Sequence, residues 1–201
     1  MKKIFLLIAI LSVSVGLTFA QSNNPGGQQT SPQIELIHGS TSVVLSSDFI
    51  GALTSLNIAP GKVFPAQLRN GKATFPIADG TLDRPTLRGE IIHSGGLTLT
   101  RGSTKVKLKS FIIDTTGASG IVLTGLVSAN GSVVARIPLF DLALPANSNS
   151  GFGLERVNLD DVSVTLRPEA AGALNAVFET NAFVAGFNIG TARVRGFGYG
   201  N

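Results

Sequence analysis

LTLTRGSTKVKLK, from Leu97 to Lys109, alternates apolar and polar residues on both sides of a glycine-containing turn. A period of two places successive side chains on opposite faces of a strand, so that one face can be buried. The turn between the two runs is short enough to join neighbouring antiparallel strands. We therefore predict a β-hairpin in which Val106 and Leu108 lie opposite Leu97 and Leu99.

The same alternation recurs through the middle of the chain and predicts a mainly β fold. Strands are predicted at 87–93, 121–128 and 133–144. Pro138 lacks a backbone donor, so the last of these strands should have an edge position or a bulge there. Glycine-containing turns are predicted at five places: Asn70-Gly71, Asp79-Gly80, Gly95-Gly96, Arg101-Gly102 and Asn130-Gly131. Together these features indicate a central antiparallel meander.

Two short helices are predicted outside this meander. Residues 48–56 carry their apolar side chains on one stripe, and residues 168–178 begin with a proline, which the first helical turn tolerates. Each helix follows a strand that ends in leucine, with a Gly-Ala-Leu sequence at the same spacing. We interpret 42–77 and 163–195 as two strand-helix-strand repeats that bracket the meander. The predicted fold is an antiparallel β-sandwich or flattened barrel, with the two helices covering its open ends.

The first twenty residues have the layout of a cleavable secretory signal peptide. Lys2 and Lys3 precede an apolar run from Ile4 to Leu17, and small residues surround the expected cleavage site after Ala20. The apolar run is too short to span a membrane as a helix, and no comparable run follows it. We therefore expect an exported protein, periplasmic, cell-surface or extracellular, with no transmembrane segment in the mature chain.

The mature chain is expected to fold as one domain held together by burial alone. Residues 21–32 are polar and rich in Gly, Pro, Asn and Gln, which predicts a disordered linker. Residues 33–197 should form a single β-rich domain, since their number is ordinary for one core. The chain has no cysteine, so neither disulfides nor zinc-thiolate sites are available to it.

Composition argues against nucleic-acid binding and gives little support to catalysis. Without the two signal-peptide lysines, the 16 basic residues fall to 14 against 12 acidic ones, and the chain has no tryptophan for base stacking. No spacing of serine, histidine and carboxylate matches a hydrolase, and no zinc signature is present. Asp160 and Asp161 are adjacent and should point to opposite sides of a strand. We therefore predict no catalytic site and no metal site.

Lys105, Lys107 and Lys109 share one face of the second hairpin strand. Three lysines in a row can contact an anionic glycan, lipid or protein surface. The alternative is a solvated face that protects an exposed sheet against edge-to-edge pairing. We expect the solvated face, with anionic-surface contact as the second interpretation.

GEIIHSGGLTL, from Gly89 to Leu99, has His93 before a Gly-Gly pair and an alternating apolar strand. This segment resembles the strand-turn-strand core of HtaA-type haem-acquisition domains, and the similarity covers roughly residues 85–130. The resemblance implies haem binding, with His93 as a ligand or as the hydrogen-bond partner of one. HtaA-type domains start with an aromatic-rich strand that supplies a tyrosine ligand, whereas residues 33–59 contain neither tryptophan nor tyrosine. The alternative is that His93 lies in a turn and forms hydrogen bonds within its own loop. We expect this alternative, and therefore little specific haemin binding by the purified protein.

Three functions therefore stay open, in this order. The first is a secreted or cell-surface, non-catalytic structural or interaction module that needs no cofactor and has a protein, glycan or cell-envelope partner. The second is HtaA-like binding of haem or another hydrophobic ligand near His93. The third is an enzyme with an unrecognised site.

Overall fold

The computed structural model describes residues 32–145, 151–153 and 156–200, and for 151–153 the backbone alone. The predicted signal peptide and all but the last residue of the predicted linker lie outside these residues. Both stay predictions.

Twelve strands and two helices follow one another in the described residues. They are β1 (Gln33–Leu45), α1 (Ser47–Ser55), β2 (Ala59–Val63), β3 (Gln67–Arg69), β4 (Lys72–Asp83), β5 (Gly89–His93), β6 (Gly96–Arg101), β7 (Thr104–Asp114), β8 (Ile121–Ala129), β9 (Ser132–Ala143), β10 (Gly151–Gly153), β11 (Arg156–Leu166), α2 (Pro168–Phe178) and β12 (Asn188–Gly200). The protein is thus mainly β with two short helices, as the alternating pattern predicted.

Eight strands form a closed antiparallel barrel. Their order around the ring is β1, β12, β11, β9, β8, β7, β5 and β4, and β4 pairs back to β1. β6 continues from β5 along the same edge of β7, and β2 pairs with β6. The short strands β3 and β10 pair with β4 and β11. The sequence left a sandwich and a flattened barrel open, and the closed barrel is the one observed.

The hairpin predicted from residues 97–109 has the predicted register. Leu97 pairs with Leu108, and Leu99 pairs with Val106. The ladder between β8 and β9 shifts by one residue beside Pro138, so the predicted bulge is also present. These features were predictable because the paired residues are close in sequence.

Two of the five predicted glycine turns are wrong. Asp79-Gly80 lies inside β4, and Gly95-Gly96 joins β5 to β6, which both pair with β7. A Cβ atom on Gly96 would lie 2.0 Å from the carbonyl oxygen of Leu108. Glycine is therefore needed here for the close approach of two backbones, not for a reversal of the chain.

Both predicted helices are present, but they cover the same end of the barrel. The hydroxyl of Ser46 caps α1 by accepting a hydrogen bond from the backbone N–H of Phe49 at 3.0 Å. α1 follows β1 and α2 follows β11, and both strands are antiparallel to β12. β1 and β11 therefore run in the same direction and end together. The expectation of one helix at each end is wrong, because helix placement depends on strand directions that local sequence patterns do not specify.

The two ends of the barrel thus differ. At the helical end, Phe49 of α1 packs edge-on against Phe187 at 6.4 Å, and Phe178 of α2 is fully buried. The other end, referred to below as the loop end, carries the β4–β5 and β7–β8 connections. Within the part of the chain described, neither helix is long and apolar enough to cross a membrane. The superposition of 42–77 on 163–195 stays a prediction, although each segment has the order strand, helix, strand.

Candidate functional site

His93 lies inside the barrel at the end of β5, with 3% of its surface exposed. Its Nε2 atom is 2.7 Å from the hydroxyl oxygen of Thr41, which lies on β1 and is also buried. β4 separates these two strands, so the side chains meet across its inner face. The expectation of a turn histidine is therefore wrong. The chain continues from β5 into β6 instead of reversing, and alternation turns His93 inwards.

The second nitrogen of His93, Nδ1, is buried and lacks a well-formed hydrogen bond. The backbone groups of Phe111 and Ile91 lie close to the ring. Burial lowers the pKa of His93 from its ordinary 6.5 to about 4, and the nearby backbone of Phe111 and Ile91 opposes this only in part. The ring is therefore neutral at neutral pH.

An apolar cavity of about 80 Å³ lies in the barrel interior beside His93. Phe75 and Phe111 line it and meet edge to face, with ring centroids 5.1 Å apart. Phe49 and Leu174 close it from the two helices. This volume exceeds what one water molecule needs, but it is well below the roughly 300–1,000 Å³ of typical ligand pockets.

A second apolar pocket, of about 150 Å³, lies at the loop end. Leu87 of the β4–β5 connection and Leu144 at the end of β9 are among the residues that line it. This pocket shares four lining side chains with the inner cavity, referred to here as the dividing layer: Ile113, Leu142, Val162 and Val194. The two spaces are therefore neighbours, separated by one layer of apolar side chains.

Haem does not fit the residues around His93. Nε2 already bonds to Thr41, and the inner cavity is far too small for a porphyrin. The sole tyrosine, Tyr199, lies near the end of β12 with 62% of its surface exposed. Among the described residues, no group of three His, Cys, Asp or Glu side chains could hold a metal ion. We therefore derive no role for haem at this site.

The three lysines of β7 lie on the outside of the barrel. Lys105 is exposed, and Lys107 and Lys109 are half-buried. β7 pairs with β5 and β6 on one side and with β8 on the other. Protection of an exposed sheet edge is therefore not the function of this row, because β7 is an interior strand.

The adjacent acids Asp160 and Asp161 do not form an acid–base pair. Asp160 accepts two hydrogen bonds from Arg195, at 2.6 and 2.9 Å, and also pairs with Arg193. These hydrogen bonds, chiefly the one from Arg195, hold the pKa of Asp160 below its ordinary value. Asp160 is thus a structural anion that links β11 to β12.

Sequence reasoning missed Thr41 and the two apolar spaces. Thr41 is 52 residues from His93, and no local pattern links them. The lining of the inner cavity comes from every strand of the barrel, so it exists only once the barrel closes.

Comparison with known proteins supports the fold. No protein-family model matches the chain, and no curated protein matches it. Among solved structures, the C-terminal domain of HtaA from Corynebacterium glutamicum superposes with a TM-score of 0.62 at 13% sequence identity. The match covers 82% of this chain and 98% of that chain. At this identity the likeness shows a shared fold, so the resemblance inferred from residues 85–130 is confirmed at that level.

Proposed function

We propose that this protein is an exported, non-catalytic binding module that holds a small hydrophobic ligand inside its barrel. The ligand enters from the loop end, because the two helices fill the other end. The observation that carries this proposal is the apolar pocket at the loop end, which lies against the cavity beside His93 across the dividing layer.

The shape of the two spaces limits the ligand to a narrow molecule. The pocket and the cavity measure about 150 and 80 Å³, and a ligand that occupies both must displace side chains of the dividing layer. A linear aliphatic chain, or an aromatic molecule no wider than one ring, fits such a path, whereas a porphyrin does not. Burial of apolar ligand surface drives binding.

The inner end of this path is apolar. His93 is among the residues that line the inner cavity, but no polar surface faces that space. The ligand is therefore expected to be apolar at its leading end. The enzyme alternative lacks a comparable observation, because Asp160 is already neutralised by arginines.

The proposal is tested with N-phenyl-1-naphthylamine, an apolar dye that fluoresces when it leaves water. Leu144→Asp places a charge in the loop-end pocket, which should weaken dye binding tenfold or more because a carboxylate resists desolvation. Val184→Asp is the matched control, since Val184 is 56% exposed and follows α2 at the helical end. Far-UV circular dichroism checks that both variants fold.

Saturable dye binding that survives in Val184→Asp and fails in folded Leu144→Asp supports the proposal. Absence of binding to the wild-type protein, or equal binding to both variants, would contradict it. Haemin is the competitor that separates the alternatives. Displacement of the dye by haemin, with a Soret shift lost in His93→Ala, would restore the haem interpretation.

A further inference from the structure

The lysine row of β7 belongs to a larger surface that extends across β8 to β9. Lys107 pairs with Ser128, which pairs with Val133. One row further along, Lys109 pairs with Leu126, which pairs with Arg136. Directly paired residues share one face of a sheet. The surface referred to here as the cationic face therefore comprises Lys105, Lys107, Lys109, Arg136 and Val133.

The described residues of this face carry positive charge with no carboxylate among them. On the other side of β7, the residues paired with the lysines are Thr100, Thr98 and Gly96. None of the ion pairs found in the described part of the chain involves these three lysines. Arg136 donates hydrogen bonds to the carbonyl oxygen of Ser110 and the hydroxyl of Thr124, which hold it against the sheet. Within the described residues, the charge of the three lysines is therefore not neutralised by an ion pair.

Two large apolar side chains project next to these cations. Val133 and Val134 are 64% and 65% exposed, and they follow Ser132, the first residue of β9 after the Asn130-Gly131 turn. Val127 pairs with Ala135 and Ser128 pairs with Val133, so Val134 has no partner on β8 and forms a β-bulge. These two valines are adjacent, exposed and close to cations without ion pairs. Such a combination is more typical of an interaction surface than of an ordinary solvated surface.

We propose that the cationic face binds the surface of a membrane that contains anionic phospholipids. The lysines and Arg136 attract the lipid phosphates, and the valines enter the boundary between headgroups and acyl chains. A bilayer presents negative charge above an apolar layer, which matches the combination of cations and valines. Single-stranded nucleic acid is typically bound with aromatic side chains that stack on the bases, and the face has none.

The test uses the purified full chain with vesicles of phosphatidylglycerol and phosphatidylcholine, and with phosphatidylcholine vesicles alone. The variant Lys107→Gln/Lys109→Gln removes two charges from the face. Arg69→Gln/Lys72→Gln removes the same charge from exposed positions on β3 and β4. Each lysine near an anionic surface contributes about fivefold in affinity, so we expect about 30-fold weaker binding for the first variant. The control should bind as the wild type does.

A third variant separates the apolar contribution from charge. Val133→Ser keeps every cation, so it should retain salt-sensitive recruitment but sediment less with vesicles at high salt, where charges are screened. Failure of the wild-type chain to bind anionic vesicles would overturn the proposal. Equal losses in the two double variants would also overturn it, because net charge alone would then explain the binding. Retention on an anionic polysaccharide without vesicle binding would assign the face to a glycan instead.

Discussion

Replacement of His93 by glutamine should abolish the part of the pH dependence of stability that comes from protonation of His93. The unfolded chain binds a proton on this residue near pH 6.5, whereas the folded chain does so only near pH 4. Above the first value both states are neutral there, and the histidine contributes no pH dependence. Between the two values the unfolded state binds the extra proton, so the free energy of unfolding falls as the pH decreases.

The size of this loss follows from the two pKa values. Each tenfold difference in proton affinity is worth about 1.36 kcal/mol, so the full loss below the folded pKa is about 3 kcal/mol. At about pH 5 the loss relative to about pH 7.5 is already about 2 kcal/mol. Glutamine is uncharged throughout, and its amide can still bond to Thr41. His93→Gln should therefore lack this part of the slope.

The measurement is urea unfolding followed by far-UV circular dichroism at several pH values between these limits. Carboxylates whose pKa is lowered, such as Asp114, titrate in both proteins and cancel in the difference. His38→Gln is the matched variant, because it replaces the other histidine, which is exposed and stacked on Phe197. If His93→Gln keeps the wild-type slope, His93 is not buried as a neutral group and the reasoning fails.

Three further outcomes are expected. Thr41→Val should lower the free energy of unfolding by about 1–3 kcal/mol, since Nε2 of His93 loses its partner; a change near zero in urea unfolding would exclude that hydrogen bond. Phe178→Ala should cost about 3–5 kcal/mol because this ring is fully buried, whereas Phe64→Ala, at 89% exposure, should cost little; similar midpoints for both would refute this packing. Exported protein should begin at Gln21, and an intact mass that retains the first twenty residues would exclude cleavage there.

Local pairing was predictable from the sequence, and ring closure was not. Leu97 and Leu108 are close in sequence, and the alternation on both sides of the turn sets their register. The pairing of β1 with β12 joins residues more than one hundred positions apart, with no local signal for it. The helices were predictable because their apolar spacing lies within a single short segment. Their position at the same end of the barrel depends on the directions of β1 and β11, which no short segment specifies.

The environment of His93 shows why the candidate site was only partly predictable. The sequence drew attention to this residue, but the Gly-Gly pair after it suggested a turn histidine instead of a buried one. The glycines instead let backbones approach closely, and Gly95 has a positive φ of 81° without reversing the chain. A glycine pair indicates unusual backbone geometry, but it does not specify whether the cause is a turn or a close approach.

The pairing of the first strand with the last also determines when the barrel can form during synthesis. β1 lies between β4 and β12, and β12 is the final strand described. Until residues 188–200 are available, β1 and β11 each keep an unpaired edge. Contacts of such long sequence separation form slowly. A chain that ends before β12 therefore cannot close its barrel, and its two open edges are sites for aggregation.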